Sequence, residues 1–471
     1  MKNEKQLILE KVFDLVKQQM ISNTGNADKP VVRYLSADAL KEEIDLSLPD
    51  EGVSGDALFK DIETYLQYSV DTGNRQFVNQ LYAGPNFPAF VGEIITALTN
   101  TSMYTYEVAP VATLIEMALI GKLNQVVGFE HGDGTFLTGG SNANLIAMFT
   151  ARNKARPEIK TKGASGCARL TAFVSEQSHY SFDTAANLLG IGSDQVCKIS
   201  TDQNGCMQPD ALDAAIQESL RQGATPFFIG ATAGTTLLGA YDPIEEIAAV
   251  AEKHNVWVHV DGAFGGPVIL SRKHRKLLKG LDRVDSFTMD PHKLMNIPLM
   301  CSVLLVKEKG RLMHNLTDLD TQYLYHGNDT ACYDLGKTSI QCGRRVDALK
   351  LWLAWRYFGD KGYAARMDKQ MDLAQYAKAK VEESPRLELL AQPQSVAVCF
   401  RYRNRNGVEV DDFNLELRER MRKTGKALIN YGYWNGNLSL RYVAASPDAE
   451  FEDIDTLFEH ILDTAKHLEE E

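Results

Sequence analysis

Two charged residues in the second half of the chain have the types and the placement of a cofactor site. Asp261 ends the apolar run Val256-Trp-Val-His-Val260, and Lys293 lies in the loop after the next predicted strand. A lysine amine can bond to an aldehyde, and a carboxylate can hold a ring nitrogen protonated. Pyridoxal phosphate needs both groups, together with a cradle for its phosphate. The pair therefore predicts a pyridoxal phosphate site.

A glycine-rich segment offers the phosphate cradle. Gly139-Gly140-Ser141-Asn142-Ala143-Asn144 precedes a predicted helix that runs to about Arg152. Glycines let a ligand approach the backbone, and a helix N-terminus presents free N–H groups and the positive end of its dipole. Taken alone, a glycine-rich turn with a Ser/Asn N-cap is the more common explanation of such a segment.

Three further residues are candidates for the same site. His179 follows a predicted strand that ends at Val174, where an imidazole could stack on a cofactor ring. Thr232 follows another strand end and could reach polar atoms of the same ligand. Arg441 interrupts an apolar strand, and its planar fork suits a bidentate contact with a carboxylate. Each has a common structural alternative: a capping histidine, a Thr/Gly turn and an ion pair.

The composition limits the classes of function. The 471 residues are 44% apolar and 24% charged, which is typical of an ordinary globular protein with two or three subdomains. The net charge of -12 argues against a nucleic-acid or membrane partner. The seven cysteines lack metal-ligand spacing and favour a reducing compartment. Neither a signal-peptide core nor a membrane span is predicted, so we expect a cytoplasmic, metal-free protein.

Alternating β-rich and helical runs predict the fold class. Apolar strands without polar alternation are typical of a sheet that is covered on both faces, as in doubly wound α/β folds. In such sheets, ligands bind beyond the carboxyl ends of the strands, which is where Asp261 lies. The predicted strands are residues 170–174, 196–199, 227–231, 256–260, 286–289 and 302–306, with helices at 209–221 and 243–254 between them.

The pattern changes to α+β after about residue 360. A predicted helix at 344–358 precedes this change. Helices at 367–381 and 412–424 and a strand at 396–402 are predicted after it, and Asn435-Gly436 between two β-rich runs is a strong hairpin signal. We therefore predict three regions. They are a helical segment at 1–90, a large cofactor-binding domain at 91–360 and a small domain at 361–471.

Several long motifs, in one order, resemble the group II pyridoxal-phosphate decarboxylases, in the branch for glutamate, cysteine sulfinate and aspartate. The resemblance runs from about Phe77 to Leu468. Its motifs include residues 100–110, 231–236, 259–266, 291–293 and 341–344. It implies the type I fold of pyridoxal-phosphate enzymes, with a mostly parallel seven-stranded sheet in a large domain and a smaller α+β C-terminal domain. It also implies a homodimer with shared active sites, in which residues 1–90 pack on the partner subunit.

The resemblance implies a role for each cofactor-site candidate. Lys293 would hold the cofactor covalently, Asp261 would pair with its ring nitrogen, and His179 would stack on its ring. Thr232 would support the ring and Asp261. Three residues would lie at or near the phosphate: Ser141, Asn142 and His292.

The resemblance also implies how a substrate would be held and protonated. Arg441 would bind the α-carboxylate of an amino acid, with Gln80 near it. After carbon dioxide leaves, a loop tyrosine would protonate Cα. That loop lies within residues 323–333 and is about two residues shorter than in mammalian relatives, and Tyr325 and Tyr333 are both candidates.

Two tyrosines bear on the choice of substrate. Glutamate-specific relatives have serine where Tyr82 stands and phenylalanine at Tyr104, whereas cysteine-sulfinate decarboxylases have aromatic residues at both. Tyr82 should shrink the pocket, which favours aspartate or cysteine sulfinate over glutamate. Alternatives are oxidative decarboxylation–deamination or 2,4-diaminobutyrate decarboxylation on the same scaffold. A non-enzymatic binding protein would be expected to lack Lys293 or Asp261.

The chain departs from the family pattern near the lysine. Relatives usually carry Ala and Trp where this chain has Gly262 and Phe264, and Asn where it has Asp290. An added acid three residues before Lys293 could alter the pKa of the lysine or could face away. None of these departures removes a required group.

Overall fold

Apolar runs in the middle of the chain form a seven-stranded sheet. The computed structural model describes residues 4–22, 29–84, 86–164, 168–316, 325–327, 329–403 and 409–471. The strands of this sheet are β1 (Asp133–Leu137), β2 (Leu170–Ser175), β3 (Val196–Ile199), β4 (Thr225–Thr232), β5 (Trp257–Gly262), β6 (Ser286–Met289) and β7 (Ser302–Val306). Their order across the sheet is β1-β7-β6-β5-β4-β2-β3.

The strands from β2 to β6 run parallel to one another, and β7 runs antiparallel to both β6 and β1. Every residue of β2, β5, β6 and β7 is buried. Because successive side chains point to opposite faces, the sheet is covered on both faces. The mostly parallel seven-stranded sheet predicted from the sequence is confirmed, and the six predicted strands differ from the observed ones by at most two residues at either end.

The edge strand β1 was not predicted. Its sequence, Asp-Gly-Thr-Phe-Leu, begins with two residues that are disfavoured in strands. Antiparallel pairing with β7 nevertheless holds it in the sheet, and four of its five residues are buried. Tertiary pairing has overridden the local preference.

Fourteen α-helices occur in the described residues. In chain order they are α1 (Glu4–Ser22), α2 (Ala37–Glu43), α3 (Gly55–Tyr68), α4 (Phe87–Thr99), α5 (Pro110–Val127), α6 (Gly140–Ala155), α7 (Ile159–Lys162), α8 (Ser181–Leu188), α9 (Pro209–Arg221), α10 (Ile244–His254), α11 (Arg311–Leu316), α12 (Asp347–Glu383), α13 (Val410–Thr424) and α14 (Phe451–Glu470). Helix α12 covers both helices predicted between 344 and 381, with a break at Gly359, where φ is 65°.

The chain divides into two compact units. The larger unit consists of Pro85–Asp372 and Gln392–Ala397 and contains the seven-stranded sheet, on which α6, α9 and α10 pack. Helix α6 crosses β4, β5, β6 and β7, and its core side chains are mostly small, such as Ala143, Ala147 and Ala151. Small side chains let the helix lie close to the strands that carry the predicted site residues.

The smaller unit consists of Met1–Gly84, Leu373–Ala391 and Val398–Glu471. It is built on a four-stranded sheet of order β10-β11-β9-β8, with β8 at Leu387–Leu389, β9 at Ala397–Tyr402, β10 at Asn430–Trp434 and β11 at Asn437–Val443. Asn435 and Gly436 join β10 to β11, both with positive φ, as the predicted hairpin turn requires. The three-part division at residues 90 and 360, and the packing of 1–90 on a partner subunit, stay predictions.

Candidate active site

Four of the predicted or neighbouring polar residues follow the carboxyl ends of adjacent parallel strands. His179 follows β2, Thr232 ends β4, Asp261 lies near the end of β5, and Asp290 follows β6. In the strand register, Thr232 pairs with Asp261, which in turn pairs with Thr288. The sheet therefore brings these groups to one edge, where ligands bind in doubly wound folds.

Asp261 is buried, and both of its carboxylate oxygens accept hydrogen bonds. Its exposed fraction is 5%. Oδ1 accepts from the backbone N–H of Ala263 at 3.0 Å, and Oδ2 accepts from Nδ2 of Asn144 at 2.7 Å. Such bonds favour the charged form of a buried carboxylate. Asp261 is thus held in place and can accept one more proton donor, such as a ring N–H.

Residues behind Asp261 that were not predicted extend this hydrogen bonding. Asn144 Oδ1 lies 2.9 Å from Nε2 of His259, and Nδ1 of His259 lies 2.9 Å from Oγ of Ser286. Burial lowers the pKa of His259 to about 4, so the imidazole is neutral at neutral pH. The sequence did carry a signal for His259: it precedes Asp261 by two positions in a strand, which puts both side chains on one face.

Asp242 fixes the end of β4 and was also missed. Its fully buried carboxylate accepts from the backbone N–H of Thr232 at 2.7 Å and of Met207 at 2.6 Å. Burial raises the pKa of Asp242 to about 7, against the opposing effect of these two backbone donors. A buried acid after a strand end is hard to distinguish in sequence from a turn residue, so no pattern identified it.

Lys293 lies beside a carboxylate. Its Nζ is 3.2 Å from Oδ2 of Asp290, and Nε2 of His292 is 3.6 Å from the same oxygen. Ser302 donates its hydroxyl proton to Oδ1 of Asp290. Burial lowers the pKa of His292. Asp290, where relatives usually have Asn, therefore does not face away from the lysine.

His179 shares its electrostatic environment with the acid and the lysine. It is partly buried, and its Nδ1 lies 3.3 Å from the backbone N–H of Ser181, which can donate to it. Burial lowers the pKa of His179, while the charge of Asp261 opposes this; Lys293 and Asp290 also act on it. The structure therefore brings His179, Asp261 and Lys293 into one site.

Several buried polar atoms around these residues lack a hydrogen-bond partner within the described part of the chain. They are Thr232 Oγ1, Asn142 Oδ1 and Ser178 Oγ. Buried polar groups are nearly always bonded, so such atoms indicate where a ligand supplies the partner. Each of the three atoms lies in or beside a predicted cofactor residue, and the site therefore fits an oxygen-rich ligand such as pyridoxal phosphate.

The glycines at the start of α6 leave room for close approach. Gly139 has φ of 109°, which side-chain-bearing residues rarely adopt. A Cβ added at Gly140 would lie 2.8 Å from Cβ of Ala263 and 2.9 Å from Oδ2 of Asp290. Ser141 is exposed in the first turn of α6, and Asn142 follows it. The predicted helix is present but begins at Gly140, inside the glycine-rich segment, and runs to Ala155. Its N-terminus packs against the segments that carry Asp261 and Lys293.

Both candidate loop tyrosines contact the segment that carries Tyr104. The backbone N–H of Gly336 donates to the carbonyl of Tyr104 at 2.9 Å, and the hydroxyl of Tyr325 lies beside Gly336. The ring of Tyr333 lies 5.1 Å from that of Tyr106. The predicted loop also includes residues 323, 324 and 328, which lie outside the described residues.

The other predicted substrate residues lie in the smaller unit. Arg441, on β11, is buried and donates from Nη2 to the carbonyl of Asn79 at 2.8 Å, next to Gln80. Burial lowers the pKa of Arg441. The ring of Tyr82 lies 5.8 Å from that of Phe77, in a small apolar cluster. Arg441 thus contacts the backbone immediately before Gln80.

The comparison with known proteins decides what kind of site this is. Residues 38–403 match the pyridoxal-dependent decarboxylase conserved domain. The chain belongs to the pyridoxal-dependent decarboxylases. It is 37% identical over 466 residues to acidic amino acid decarboxylase GADL1 of Bos taurus, covering 96% of this chain and 89% of that protein. It is 38% identical over 463 residues to cysteine sulfinic acid decarboxylase of Mus musculus, covering 96% and 94%.

Solved structures agree. The crystal structure of mouse CSAD in apo form matches with a TM-score of 0.94 and 36% identity over 98% of both chains. The decarboxylase therefore has the type I fold, uses pyridoxal phosphate and is a carboxy-lyase, as the resemblance implied. Within the part of the chain that the structure describes, no helix is long and apolar enough to cross a bilayer, and no cluster of His, Cys, Asp or Glu side chains is arranged for a metal ion.

Proposed function

We propose that this decarboxylase removes the α-carboxylate of a small acidic amino acid as carbon dioxide, with aspartate or cysteine sulfinate preferred over glutamate. The observation that carries the proposal is that Asp261 and Lys293 both lie close enough to His179 for their charges to act on its pKa. Asp261 is also buried and accepts a hydrogen bond through each of its two oxygens. The names of the two relatives, an acidic amino acid decarboxylase and a cysteine sulfinic acid decarboxylase, support the substrate class.

Three side chains would act on the cofactor. When bound, pyridoxal phosphate supplies an electron sink for the pair left on Cα as carbon dioxide departs. Lys293 would hold the cofactor covalently through its amine. Asp261 would keep the ring nitrogen protonated, because its fixed negative charge stabilises that proton in a site shielded from water. His179 would stack on the ring.

The phosphate would lie at the start of α6. The free backbone N–H groups and the dipole of this helix favour an anion there. Ser141, Asn142 and His292 would complete the cradle, and Thr232 would turn its open Oγ1 to the ring and Asp261. Oδ1 of Asn142, which has no hydrogen-bond partner among the described residues, can only accept a hydrogen bond. It would therefore face a protonated atom or a bridging water rather than an unprotonated phosphate oxygen.

The remaining groups would select and protonate the substrate. Arg441 would bind the α-carboxylate, with Gln80 beside it, since a guanidinium offers a planar pair of donors. Tyr82 and Tyr104 would limit the length of the side chain. The proton for Cα would come from a phenolic O–H, and Tyr325 and Tyr333 remain the two candidates.

A panel assay tests the activity. We expect the purified, cofactor-loaded protein to release carbon dioxide from aspartate or cysteine sulfinate faster than from glutamate, with the amine product identified by mass spectrometry. Comparable turnover of glutamate and aspartate would overturn the substrate preference. Ammonia and peroxide among the products would instead show oxidative decarboxylation–deamination.

Replacing Tyr82 tests the pocket. Tyr82→Ser should raise kcat/KM for glutamate relative to aspartate by about tenfold, because a smaller residue makes room for one more methylene. Tyr433→Ser, which removes an exposed tyrosine in the same unit, is the matched control and should leave the ratio unchanged. An unchanged ratio in Tyr82→Ser would show that Tyr82 does not set the chain length.

We also propose a cytoplasmic homodimer. One side of α5 exposes apolar residues at helical spacing: Val111 is 69%, Leu114 46% and Met117 40% exposed. Such a stripe is typical of a surface that a second copy covers. Leu114→Lys should shift the protein toward monomers in sedimentation velocity, whereas Leu220→Lys, at a similarly exposed position on α9, should not. A Leu114→Lys protein that remains as dimeric as the wild type would contradict this interface.

A further inference from the structure

A line of five buried side chains runs from the interior of the sheet to Asp261. We propose that Trp257, Ser286, His259 and Asn144 form a one-way hydrogen-bond relay, in which every proton points toward Asp261 and holds it as a fixed carboxylate. These are positioning residues, because they act on the cofactor only through Asp261. The inference deepens the proposed function and rests on the role given there to Asp261.

The geometry of the relay is continuous. Nε1 of Trp257 donates to Oγ of Ser286 at 2.9 Å, and that oxygen is 2.9 Å from Nδ1 of His259. Nε2 of His259 is 2.9 Å from Oδ1 of Asn144, whose Nδ2 donates to Oδ2 of Asp261 at 2.7 Å. All five residues are buried, so water does not compete for these bonds.

The acid end sets the direction of the bonds. An ionised carboxylate only accepts, so the amide nitrogen of Asn144 must face Asp261. The amide oxygen then faces His259 and only accepts, so Nε2 of His259 must carry a proton. Because the imidazole is neutral, its Nδ1 has none and is an acceptor.

The other end requires the same direction. An indole N–H only donates, so Oγ of Ser286 accepts from Trp257. The hydroxyl proton of Ser286 is then free to donate to Nδ1 of His259, the atom that needs a donor. The two ends therefore fix one tautomer of His259 and one orientation of Asn144 without conflict.

Asn144 also ties Asp261 to the stacking histidine. Its Nδ2 is 2.9 Å from Oγ of Ser181, and the backbone N–H of Ser181 lies 3.3 Å from Nδ1 of His179. One amide thus links the carboxylate near the end of β5 with the start of α8. A change at Asn144 should disturb both groups that are proposed to contact the cofactor ring.

The sharpest test replaces Asn144 by aspartate, which keeps the shape and changes the donor to a carboxylate. Two carboxylates within hydrogen-bond distance share one proton and one negative charge, so the charge is no longer fixed on Asp261. We expect Asn144→Asp to weaken cofactor binding at least about tenfold and to move the pH at which the absorption band of the bound cofactor changes. Equilibrium dialysis and absorption spectra measure these two quantities.

Asn153→Asp is the matched control, since Asn153 is also buried on α6 but pairs with Asn315 and Arg152 away from the relay. It should leave affinity and spectrum unchanged. If the two variants behave alike while the wild type binds the cofactor, the relay is wrong and the proposed function stands. If the wild type does not bind pyridoxal phosphate, the proposed function itself fails.

The histidine offers a second test with a conservative rescue. His259→Phe keeps a ring between Phe182 and Phe228 but removes the Nε2 donor, so cofactor affinity should fall about fivefold. His259→Gln offers an amide donor to Asn144 and should recover part of the loss at equal thermal stability. Equal affinity in the Phe and Gln variants would show that packing, and not the donated proton, is what His259 provides.

Discussion

Two sets of buried polar atoms around Asp261 differ in how completely they are hydrogen-bonded. In the relay, every hydrogen-bond donor from the indole of Trp257 to the amide of Asn144 has an acceptor. In the second set, here termed the open atoms, Thr232 Oγ1, Asn142 Oδ1 and Ser178 Oγ have no hydrogen-bond partner among the described residues. The two sets lie around the same strand ends.

The difference separates what the protein prepares from what the ligand completes. An unpaired buried polar group costs about 1–3 kcal/mol, so the open atoms are expected only where binding offsets that cost. The polar atoms of the relay are already hydrogen-bonded to one another, so the relay can hold Asp261 rigidly before any ligand binds. The acid side of the site is therefore preorganised, and the lysine side is arranged to bind.

The largest contrast should appear between two carboxylates. Asp261→Asn removes the charge that the relay holds, and we expect kcat to fall on the order of 100-fold or more. Asp290→Asn also removes one charge, but an amide of the same shape keeps an oxygen that accepts from Ser302, and no bond of the relay ends on Asp290. We expect Asp290→Asn to change kcat by less than about tenfold. Carbon dioxide release under saturating substrate and cofactor measures kcat for both variants. Equal losses would show that the charge on Asp261 matters no more than the charge on Asp290.

Acid should weaken the relay. The pKa of His259 is about 4 in the fold and 6.5 ordinarily, so folding favours the neutral form. The contribution of this shift to the free energy of unfolding is fully present above pH 6.5. It is lost as the pH falls from 6.5 through 4, and the total loss is about 3 kcal/mol. The charged group that faces His259 is Asp261, which opposes the shift.

The measurement is urea unfolding of the wild type and of His259→Phe at pH 7 and at about pH 4.5. The wild type should lose more stability over this interval than the variant, which has no imidazole to protonate. Other acid titrations are common to both proteins and cancel in the difference. The same loss in both would mean that His259 is not held neutral by the fold.

The sequence located the strand ends well and the relay poorly. Apolar runs defined β2, β3, β4, β5, β6 and β7, and the Asn-Gly turn defined the hairpin, because those signals are local. Lys293, Asp261 and His179 were predicted as site residues because each follows or ends such a run. Asn144 pairs with residues more than 100 positions away, as the sheet and α6 bring them together. It belongs to the glycine-rich segment at the start of α6, but no local pattern distinguishes it from an ordinary polar residue of a helix.

The smallest and most discriminating contrast involves two threonines on either side of Asp261. In the strand register, Thr232 pairs with Asp261 from β4 and Thr288 pairs with it from β6. Both are buried, but Thr288 Oγ1 donates to the carbonyl of Val303 at 2.9 Å, whereas Thr232 Oγ1 is an open atom. Thr288→Val should therefore lower the free energy of unfolding of the cofactor-free protein by about 1 kcal/mol and leave cofactor affinity unchanged.

Thr232→Val should do the reverse. It removes no side-chain hydrogen bond to the residues that the structure describes, so the cofactor-free protein should keep its stability within about 0.5 kcal/mol. It should weaken cofactor binding by about fivefold, because the bound ligand loses a hydroxyl partner. Urea unfolding measures the stability of each variant, and equilibrium dialysis measures its affinity for the cofactor. We expect Thr288→Val to lose only stability and Thr232→Val to lose only affinity. If Thr232→Val instead destabilised the free protein and spared the affinity, the open atoms would be part of the fold and not of the cofactor site.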